Sequence, residues 1–390
     1  MKKKICLITG SRAEYGLLYP LLKLLKKSNL FSLELIVTGM HLSPKFGLTY
    51  REIIKDGFKI NHKVKINLNK DTPEGILSSM SEALSGLGRA LAKLKPDLVI
   101  VLGDRFEIFC AAVASHMLRI PIAHLHGGEL SSGVYDEAFR HSITKLSSLH
   151  FTSTEESRKR VIQLGEHPQR VFNVGAIGID NIKDMKLLTR QELEKKLSFP
   201  LGDKSLLVTF HPVTLENNTA GYQFMELLKA LDALDGVRII FTKPNADTDG
   251  LIISKLIDKY VFKNRDKAVA FSSLGQLRYL SSLKYVNAVV GNSSSGIVEA
   301  PTFRIPTINI GDRQKGRLRA ESVIDCQAEK RAIILAINKA LSASFLAGCK
   351  EIINPYGQGD TAKKIMRIIT AINPDKISLK KTFFDQVIEK

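Results

Sequence analysis

The chain contains 390 residues, of which 44% are hydrophobic and 25% charged, and 57 Lys and Arg against 39 Asp and Glu give a formal net charge of +18. This length suits two domains with a hydrophobic core each, and the composition excludes a disordered or collagen-like chain. Apolar runs shorter than about 18 residues and the lack of a signal-peptide pattern predict a soluble, cytoplasmic protein without a membrane partner. The four cysteines form no CxxC pair, which argues against a disulfide framework and a zinc site.

Strand-like apolar runs alternate with segments of helical periodicity along the chain. In chain order, strands are predicted at 5–9, 33–38, 98–102, 120–125, 171–174, 206–210, 237–242, 268–271, 288–291 and 307–310. Near-continuous Val, Ile and Leu strands followed by helices indicate parallel sheets that are covered on both faces. The sequence therefore predicts an α/β fold of two Rossmann-like, doubly wound domains in tandem, which would face each other across a cleft.

The predicted N-terminal domain covers 1–174 and the C-terminal domain 175–360. A C-terminal helix over 361–385, with its last periodic stretch at 362–372, is predicted to pack back on the N-terminal domain. The lysines cluster on predicted exposed helix faces without interleaved aromatic residues, so the net positive charge predicts no nucleic-acid partner.

Polar clusters follow two strands of the first half directly. After the first strand comes GSRAEYG at 10–16, where glycines let backbone N–H groups approach an anion and Arg12 adds a two-pronged phosphate contact. A plain tight turn explains this pattern equally well. After the strand at 98–102, Asp104 is placed to act as a base or to orient one, and Arg105 can hold it or a phosphate. A helix N-cap is the alternative for Asp104.

The densest cluster comprises HLHGGE at 124–129 and YDEAFRH at 135–141. Neither an HExxH spacing nor a nearby cysteine supports zinc, so general acid–base chemistry is the better interpretation. At the start of a predicted helix, 136 and 140 share one face and 137 and 141 share the next. Structural ion pairs remain an alternative for each residue.

Three clusters follow strands of the second half. Pro212 ends the strand at 206–210, so His211 is expected at the carboxyl end of this strand, where it could contact a ligand. A purely structural role for His211 is an equal alternative. In GNSSSGIVE at 291–299, the hydroxyls and N–H groups of Ser293, Ser294, Ser295 and Gly296 favour a diphosphate, Glu299 favours a ribose, and a helix N-cap is the alternative. Arg313 and Arg317 bring guanidiniums to the same edge, and Asn245 is predicted to line a nucleoside pocket.

Together these motifs resemble the UDP-N-acetylglucosamine 2-epimerase family, in particular its hydrolysing branch in sialic and legionaminic acid biosynthesis. The resemblance runs in order along nearly the whole chain, through GSRAEYG, TGMHLSPKFG at 38–47, GDRFE at 103–107, HLHGGE, DEAFRHSITK at 136–145, HPVT at 211–214, GNSSSGIVE and GDRQKGR at 311–317. It implies a GT-B-like pair of domains, a UDP-sugar as the ligand, no metal or redox cofactor, and a homodimer or dimer of dimers.

The resemblance also implies roles for individual residues. Nucleotide or diphosphate contacts are implied for Arg12, Arg105, Ser294, Ser295 and Arg313, a ribose contact for Glu299, and catalysis for Asp104, Asp136 and His211. Relatives often carry glutamate where this chain has His126. The acid–base role of that glutamate would then pass to His126, to Glu129 or to Glu137, or the change marks a different sugar.

The implied reaction converts UDP-N-acetylglucosamine or a close UDP-HexNAc, with water, to UDP and an N-acetylmannosamine-type sugar. The C2 proton is weakly acidic, so its removal requires concerted anti elimination of UDP, which gives a 2-acetamidoglucal to which water adds. Three alternatives are a hydrolysing epimerase specific for a UDP-2,4-diacetamido-2,4,6-trideoxy sugar, a non-hydrolysing 2-epimerase and a GT-B glycosyltransferase.

Overall fold

A computed structural model describes residues 2–70, 72–216, 219–244, 249–374 and 377–386. Within these residues, the β-strands form two parallel sheets. The strands are β1 (Lys3–Thr9), β2 (Phe31–Thr38), β3 (His62–Val64), β4 (Leu98–Leu102), β5 (Ile122–Leu125), β6 (Leu149–Thr152), β7 (Val171–Asn173), β8 (Lys204–Thr209), β9 (Val237–Thr242), β10 (Ala268–Phe271), β11 (Ala288–Gly291), β12 (Thr307–Ile310) and β13 (Val323–Cys326).

Helices follow most of the strands, and polar N-caps start several of them. The hydroxyls of Ser11, Thr72 and Thr154 accept hydrogen bonds from backbone N–H groups of the following turn. The α-helices are α1 (Arg12–Lys27), α2 (Tyr50–Lys55), α3 (Pro73–Leu94), α4 (Phe106–Met117), α5 (Tyr135–Leu146), α6 (Glu155–Gln163), α7 (Gly178–Asp184), α8 (Arg190–Leu197), α9 (Ala220–Asp232), α10 (Gly250–Lys263), α11 (Gly275–Tyr285), α12 (Ser294–Val298), α13 (Lys330–Ala340), α14 (Ala343–Cys349) and α15 (Thr361–Ile372).

The two sheets confirm the predicted α/β fold with doubly wound topology. The first sheet has the order β3-β2-β1-β4-β5-β6-β7 and the second β10-β9-β8-β11-β12-β13, with every pairing parallel. Strand order reverses between β1 and β4 and between β8 and β11. In open α/β sheets, ligands bind beyond the carboxyl ends of strands at such reversals. A ligand site is therefore expected in the loops that follow these four strands.

The chain divides into two compact units at positions that differ from the predicted boundaries. The first unit runs up to Glu129, over Asp136–Asn181 and from Tyr356 onward, and the second comprises Leu130–Tyr135 and Ile182–Pro355. Residues 175–181 belong with the first unit because the carboxylate of Asp180 accepts hydrogen bonds from the backbone N–H groups of Thr361 (2.9 Å) and Ala362 (2.7 Å).

The C-terminal helix α15 packs on α1, with Ile365 and Ile369 buried in the same core as Leu18 and Leu22. The predicted helix over 361–385 is too long, because α15 ends at Ile372, before a proline that cannot continue the hydrogen-bonded ladder.

Residues 377–386 form no helix, and this tail lies against α5 and α6 instead. Lys381 donates to the buried carboxylate of Glu166 at 2.8 Å, and the backbone N–H of Phe384 donates to the carbonyl of Gly165 at 3.0 Å. Glu166 also receives the ammonium of Lys145 at 2.6 Å and Nε2 of His150 at 3.0 Å. The tail is thus held by a buried carboxylate with three basic partners.

Among the described helices, no single one is long and apolar enough to cross a bilayer. One pair, Lys330–Ala340 and Ala343–Cys349, meets the criteria of length and composition together, with a bend of 67° between its members.

Candidate functional site

The polar clusters of the first unit lie in loops that follow neighbouring strands. The turn at Gly10, the loop of Asp104, the loop from His126 to Glu129 and the turn at Ser153 come after β1, β4, β5 and β6, which are adjacent in the sheet. Since all the strands are parallel, these loops share one edge, as the sequence pattern indicates.

Arg140 joins the carboxylates of this edge. Its side chain is 1% exposed, lies in the second turn of α5 and donates through Nη2 to the carboxylate of Asp104. Its Nη1 donates to Oε2 of Glu137 at 3.0 Å and to the backbone carbonyl of Glu129 at 2.6 Å. A buried guanidinium is stable only when it is paired, and this one is paired with two carboxylates from different elements. Asp104 and Glu137 are therefore held side by side.

Glu137 is shared between two basic side chains of its own helix. Its Oε1 lies 3.1 Å from Nε2 of His141, one turn further along α5, while its Oε2 contacts Arg140. Asp136 lies in the same first turn and is half-buried. The helix thus presents Asp136, Glu137, Arg140 and His141 within two turns, and the sequence spacing predicted this grouping.

His126 is fixed by hydrogen bonds on both ring nitrogens. The backbone N–H of Ile177 donates to its Nε2 at 3.3 Å, so Nε2 is an acceptor and the neutral ring carries its proton on Nδ1. Nδ1 then donates to Oε1 of Glu129 at 3.0 Å, and the hydroxyl of Ser153 donates to the same oxygen at 2.7 Å. Both His126 and Glu129 are thus engaged within their own unit, an arrangement that suits positioning.

His124 is buried inside β5 and acts as a structural link. Its Nε2 donates to the carbonyl of Gly103 at 2.8 Å, and Nδ1 lies 3.3 Å from the hydroxyl of Thr144. Burial lowers the pKa of His124 to about 3, so the ring is neutral at physiological pH. It holds the end of β5 next to the loop that carries Asp104.

Arg12 and Arg105, the two arginines predicted to contact the diphosphate in the first unit, are both paired with glutamates. Nε of Arg12 lies 2.7 Å from Oε2 of Glu52. Nε of Arg105 lies 3.3 Å from Oε2 of Glu107 and 3.9 Å from Oε1 of Glu14. Burial raises the pKa of Glu14 to about 7, with the charge of Glu107 adding to the rise and that of Arg105 opposing it. The diphosphate roles of Arg12 and Arg105 stay predictions.

In the second unit, Asn292 connects three loops. The backbone N–H of His211 donates to Oδ1 of Asn292 at 2.7 Å, and Nδ2 of Asn292 donates back to the His211 carbonyl at 2.8 Å. The Asn292 carbonyl accepts from Nε2 of Gln314 at 2.8 Å and from Nη1 of Arg313 at 3.2 Å. This reciprocal pairing needs close approach of β11 to β8: a Cβ on Gly291 would lie 1.9 Å from the Thr209 carbonyl oxygen.

The serines predicted to bind diphosphate lie beside this connection. Ser294 is exposed, Ser293 and Ser295 are half-buried, and the hydroxyl of Tyr279 donates to that of Ser295 at 2.7 Å. Gly296 is buried against Thr307, whose hydroxyl donates to its carbonyl at 2.7 Å. Glu299 follows α12 and is half-buried. Asn245 lies outside the described residues.

Arg317 follows β12 and contacts the segment before α5, while a diphosphate contact for it stays a prediction. Its Nε donates to the carbonyl of Leu130 at 2.5 Å and its Nη2 to the hydroxyl of Ser131 at 3.1 Å. Arg140 and Asn292, which join the clusters, lie within the predicted motifs, but the sequence assigns them no specific partner. The spacing of α5 gave the only signal for Arg140, and no signal identified Asn292. Within the described ranges, no group of three or more His, Cys, Asp or Glu side chains has an arrangement that could hold a metal ion.

Comparison with known proteins gives a consistent result over the whole chain. A family model described as UDP-N-acetylglucosamine 2-epimerase matches residues 23–370. The chain is 44% identical over 385 residues to GDP/UDP-N,N'-diacetylbacillosamine 2-epimerase (hydrolyzing) of Campylobacter jejuni, with 98% of this chain and 99% of the relative covered. It is 43% identical over 384 residues to polysialic acid biosynthesis protein P7 of Escherichia coli, with 98% and 97% covered. The solved structure of UDP-GlcNAc 2-epimerase from Neisseria meningitidis bound to UDP-GlcNAc matches with a TM-score of 0.78 at 20% identity, over 94% of this chain and 100% of that one. At this identity, the structural match concerns the fold.

Proposed function

The chain belongs to the UDP-N-acetylglucosamine 2-epimerase family, and on that premise we propose that it hydrolyses a UDP-2-acetamido sugar with inversion at C2. The products are UDP and a free 2-acetamido sugar of the manno series, which a nonulosonic acid pathway would consume. The observation that carries the proposal is the pair of carboxylates, Asp104 and Glu137, which one buried arginine holds together at a strand reversal.

The second unit is proposed to bind the nucleotide. Ser293 to Ser295 offer hydroxyl and backbone donors, and Arg313 follows the adjacent strand β12. Asn292 fixes these loops against each other, so their donors are oriented before a ligand arrives and bind it without a large ordering cost. Glu299 is assigned to the ribose. Arg12 and Arg105 are assigned to the diphosphate as well, because arginine forms bidentate contacts with phosphate oxygens.

The chemistry is proposed to begin with removal of the C2 proton by a carboxylate. As this C–H bond breaks, its electron pair forms the C1–C2 double bond, and the bond from C1 to the diphosphate oxygen breaks. UDP leaves with its electrons and a 2-acetamidoglucal remains. Water then adds to C1, and an acid delivers a proton to C2 on the opposite face. Donors that bind the diphosphate more tightly as it gains charge lower the barrier, by about tenfold in rate for each 1.4 kcal/mol.

Acid and base roles are assigned to Asp104, Glu137, Asp136 and His211. Asp104 and Glu137 keep their carboxylates next to a guanidinium, and His211 is placed by its backbone pairing with Asn292. For His126 we infer a supporting role, since both of its ring nitrogens are used by Ile177 and Glu129. We assign to Glu137 the acid–base role that the family resemblance implies for a glutamate at the position of His126.

The sugar is proposed to be either UDP-GlcNAc or its 2,4-diacetamido-2,4,6-trideoxy analogue. The name of the Campylobacter jejuni relative, which includes N,N'-diacetylbacillosamine, favours the analogue, and the name of the Escherichia coli relative places that protein in polysialic acid biosynthesis. Incubation with each sugar in D₂O, followed by mass spectrometry, tests the proposal. We expect release of UDP together with a free sugar that carries one solvent deuterium at C2.

Three other outcomes would contradict the proposal. Interconversion of UDP-sugars without UDP release would indicate a non-hydrolysing epimerase. A requirement for a second sugar as acceptor would indicate a glycosyltransferase. UDP release without deuterium at C2 would indicate simple hydrolysis. The variant D104N is the control, because it should bind UDP and lose turnover by orders of magnitude. Light scattering of the full chain checks the homodimer or dimer of dimers that the family resemblance implies.

A further inference from the structure

The short segment that leads into α5 packs within the second unit. Residues Leu130–Tyr135 belong to the second unit, although the chain on either side of them belongs to the first. We propose that Arg317 is a positioning residue, which holds this segment and thereby sets the start of α5, where Asp136, Glu137 and Arg140 lie. The catalytic role of these three residues rests on the proposed function, whereas the contacts of Arg317 are independent of it.

The loop after β12 holds the first half of the segment through three hydrogen bonds. Arg317 donates to the Leu130 carbonyl at 2.5 Å and to the Ser131 hydroxyl at 3.1 Å. The backbone N–H of Ser132 donates to the carbonyl of Arg313 at 3.1 Å. Packing adds to these bonds, since a Cβ on Gly316 would lie 2.5 Å from Cδ1 of Leu130.

The loop after β8 holds the second half of the segment. The backbone N–H of Leu215 donates to the carbonyl of Gly133 at 2.9 Å, and the backbone N–H of Tyr135 donates to the Thr214 hydroxyl at 3.2 Å. Gly133 has a φ of 72°, and a Cβ there would lie 2.6 Å from a methyl carbon of Val213. Both conditions favour glycine at this position.

The segment therefore connects three groups of residues that the proposed reaction uses. One holding loop carries Arg313, the other carries His211, and Tyr135 is the first residue of α5. Because α5 is continuous, a displacement of Tyr135 also displaces Asp136 and Glu137 in the same turn. A misplacement of about 1 Å at reacting groups can lower a rate by about 10²-fold.

Arg317 attaches this segment at two successive residues. Among the described contacts, its Nε and Nη2 reach Leu130 and Ser131, whereas the N–H of Tyr135 makes one bond to the Thr214 hydroxyl. A direct role at the diphosphate, which the sequence pattern favours, would require the guanidinium to bind the ligand as well. The two roles predict different kinetics: a positioning residue affects turnover, whereas a diphosphate ligand affects UDP affinity.

The experiment compares R317A, R317K and K315A in the full-length protein. Lys315 lies on the same loop with an exposed side chain, so K315A removes one positive charge without removing the attachment. Calorimetry gives the dissociation constant of UDP, steady-state rates give kcat, and hydrogen–deuterium exchange of the unliganded protein reports the amides of 130–135. The exchange measurement needs no activity, so it tests the attachment even if the proposed function fails.

In R317A we expect faster exchange at 130–135, a kcat lower by about 10- to 100-fold and UDP affinity within about twofold of the wild type. R317K should recover part of the rate, and K315A should match the wild type in all three measurements. Unchanged exchange in R317A would overturn the proposal, and so would a fall in UDP affinity of tenfold or more with kcat preserved, because the latter is the behaviour of a diphosphate ligand. If the wild type releases no UDP from either sugar, the proposed function fails, while the exchange result still decides whether Arg317 holds the segment.

Discussion

Replacing Arg140 with lysine separates the charge of the guanidinium from its geometry. The native side chain uses two nitrogens to reach three acceptors: the Glu129 carbonyl at 2.6 Å, the Glu137 carboxylate at 3.0 Å and the Asp104 carboxylate. A lysine ammonium keeps the positive charge but concentrates it on one nitrogen, without the planar fork that spans two carboxylates. We expect R140K to fold and to lose the fixed spacing between Asp104 and Glu137.

The expected loss follows from the number of bonds. Each hydrogen bond to a charged group contributes about 1.5–3 kcal/mol. A lysine that keeps one of the three bonds loses two, and at about 1.5–2 kcal/mol for each bond this removes roughly 3–4 kcal/mol of positioning. About 1.4 kcal/mol corresponds to a factor of ten in rate. We expect kcat/KM for UDP release to fall by about 10²- to 10³-fold. UDP affinity should stay within about twofold, because Arg140 is engaged by Asp104, Glu137 and the Glu129 carbonyl and is not among the proposed nucleotide ligands.

A coupled assay that oxidises NADH as UDP appears measures the rates, and calorimetry measures the UDP affinity. The matched control is R158K, because Arg158 also pairs with a glutamate, Glu155, at 3.0 Å, but on the partly exposed surface of α6. R158K should keep wild-type kinetics, since exposed ion pairs contribute little. If R140K keeps most of the wild-type kcat/KM, the spacing of the two carboxylates does not depend on Arg140 and the argument is wrong.

Three further substitutions test the structure at separate places. G291A should destabilise the second unit by several kcal/mol, about 3 or more, because its Cβ would lie 1.9 Å from the Thr209 carbonyl oxygen; G88A, where no atom lies within 4 Å, should raise the melting temperature slightly. E166Q should lower the melting temperature by roughly 5 °C at pH 7. H126Q should lower kcat by less than about tenfold, since a positioning side chain is replaced by one that can still donate a hydrogen bond.

The effect of E166Q has a defined pH dependence. Burial disfavours the charge of Glu166, but hydrogen bonds from His150, Lys145 and Lys381 outweigh burial and lower its pKa to about 2. A carboxyl with a lowered pKa in the folded state stabilises the protein above its unfolded pKa of about 4.5, and this contribution is lost as the pH falls toward 2. The difference in melting temperature between wild type and E166Q should therefore narrow below about pH 4.5. A difference that stays constant from pH 7 to pH 3 would show that Glu166 acts without its charge.

Opposite results at the other two positions would be equally informative. G291A with a melting temperature equal to that of G88A would show that β11 and β8 can separate without cost. H126Q with a kcat as low as that of D104N would contradict the supporting role of His126, because its hydrogen-bonding replacement should preserve most of a positioning function.

Sequence periodicity predicted both sheets because buried parallel strands are nearly continuous runs of Val, Ile and Leu, a pattern that few other elements share. It also placed Asp104, His211 and Arg313 at strand ends, since motif position follows directly from strand position. The helical stretch predicted at 362–372 matches α15, whereas its extension to 385 is wrong because Pro374 follows Ile372 and cannot continue the helix. The tail is held instead by Glu166, more than two hundred residues away in sequence.

Pairings between distant residues were the part that the sequence could not supply. Helical spacing gives Arg140 acidic neighbours on its own helix, such as Glu137, but only the tertiary fold brings the loop after β4 with Asp104 to the same guanidinium. Arg317 suits a phosphate contact by composition, but the segment at 130–135 offers it acceptors at 2.5 and 3.1 Å. In both cases, a guanidinium that looks available in the sequence is used by a loop whose position depends on the tertiary fold.

Arg140 and Asn292, which join the loops of the two units' clusters, differ in charge, so their loss should have different effects on the reaction. Arg140 is a buried cation that stabilises two carboxylates, so its loss changes the electrostatics where a proton is to be removed. Asn292 is neutral. Its side-chain amide pairs with backbone atoms of His211, and its backbone carbonyl accepts from the side chains of Gln314 and Arg313, so its loss loosens the His211 loop without altering local charge. Loss of Arg140 should therefore lower the rate constant of the reaction and leave the affinity for UDP close to that of the wild type. Loss of the Asn292 side chain should affect both quantities, because the loops that Asn292 joins carry His211 and Arg313. Arg317 lies in the same unit as Asn292 but is proposed to act on turnover.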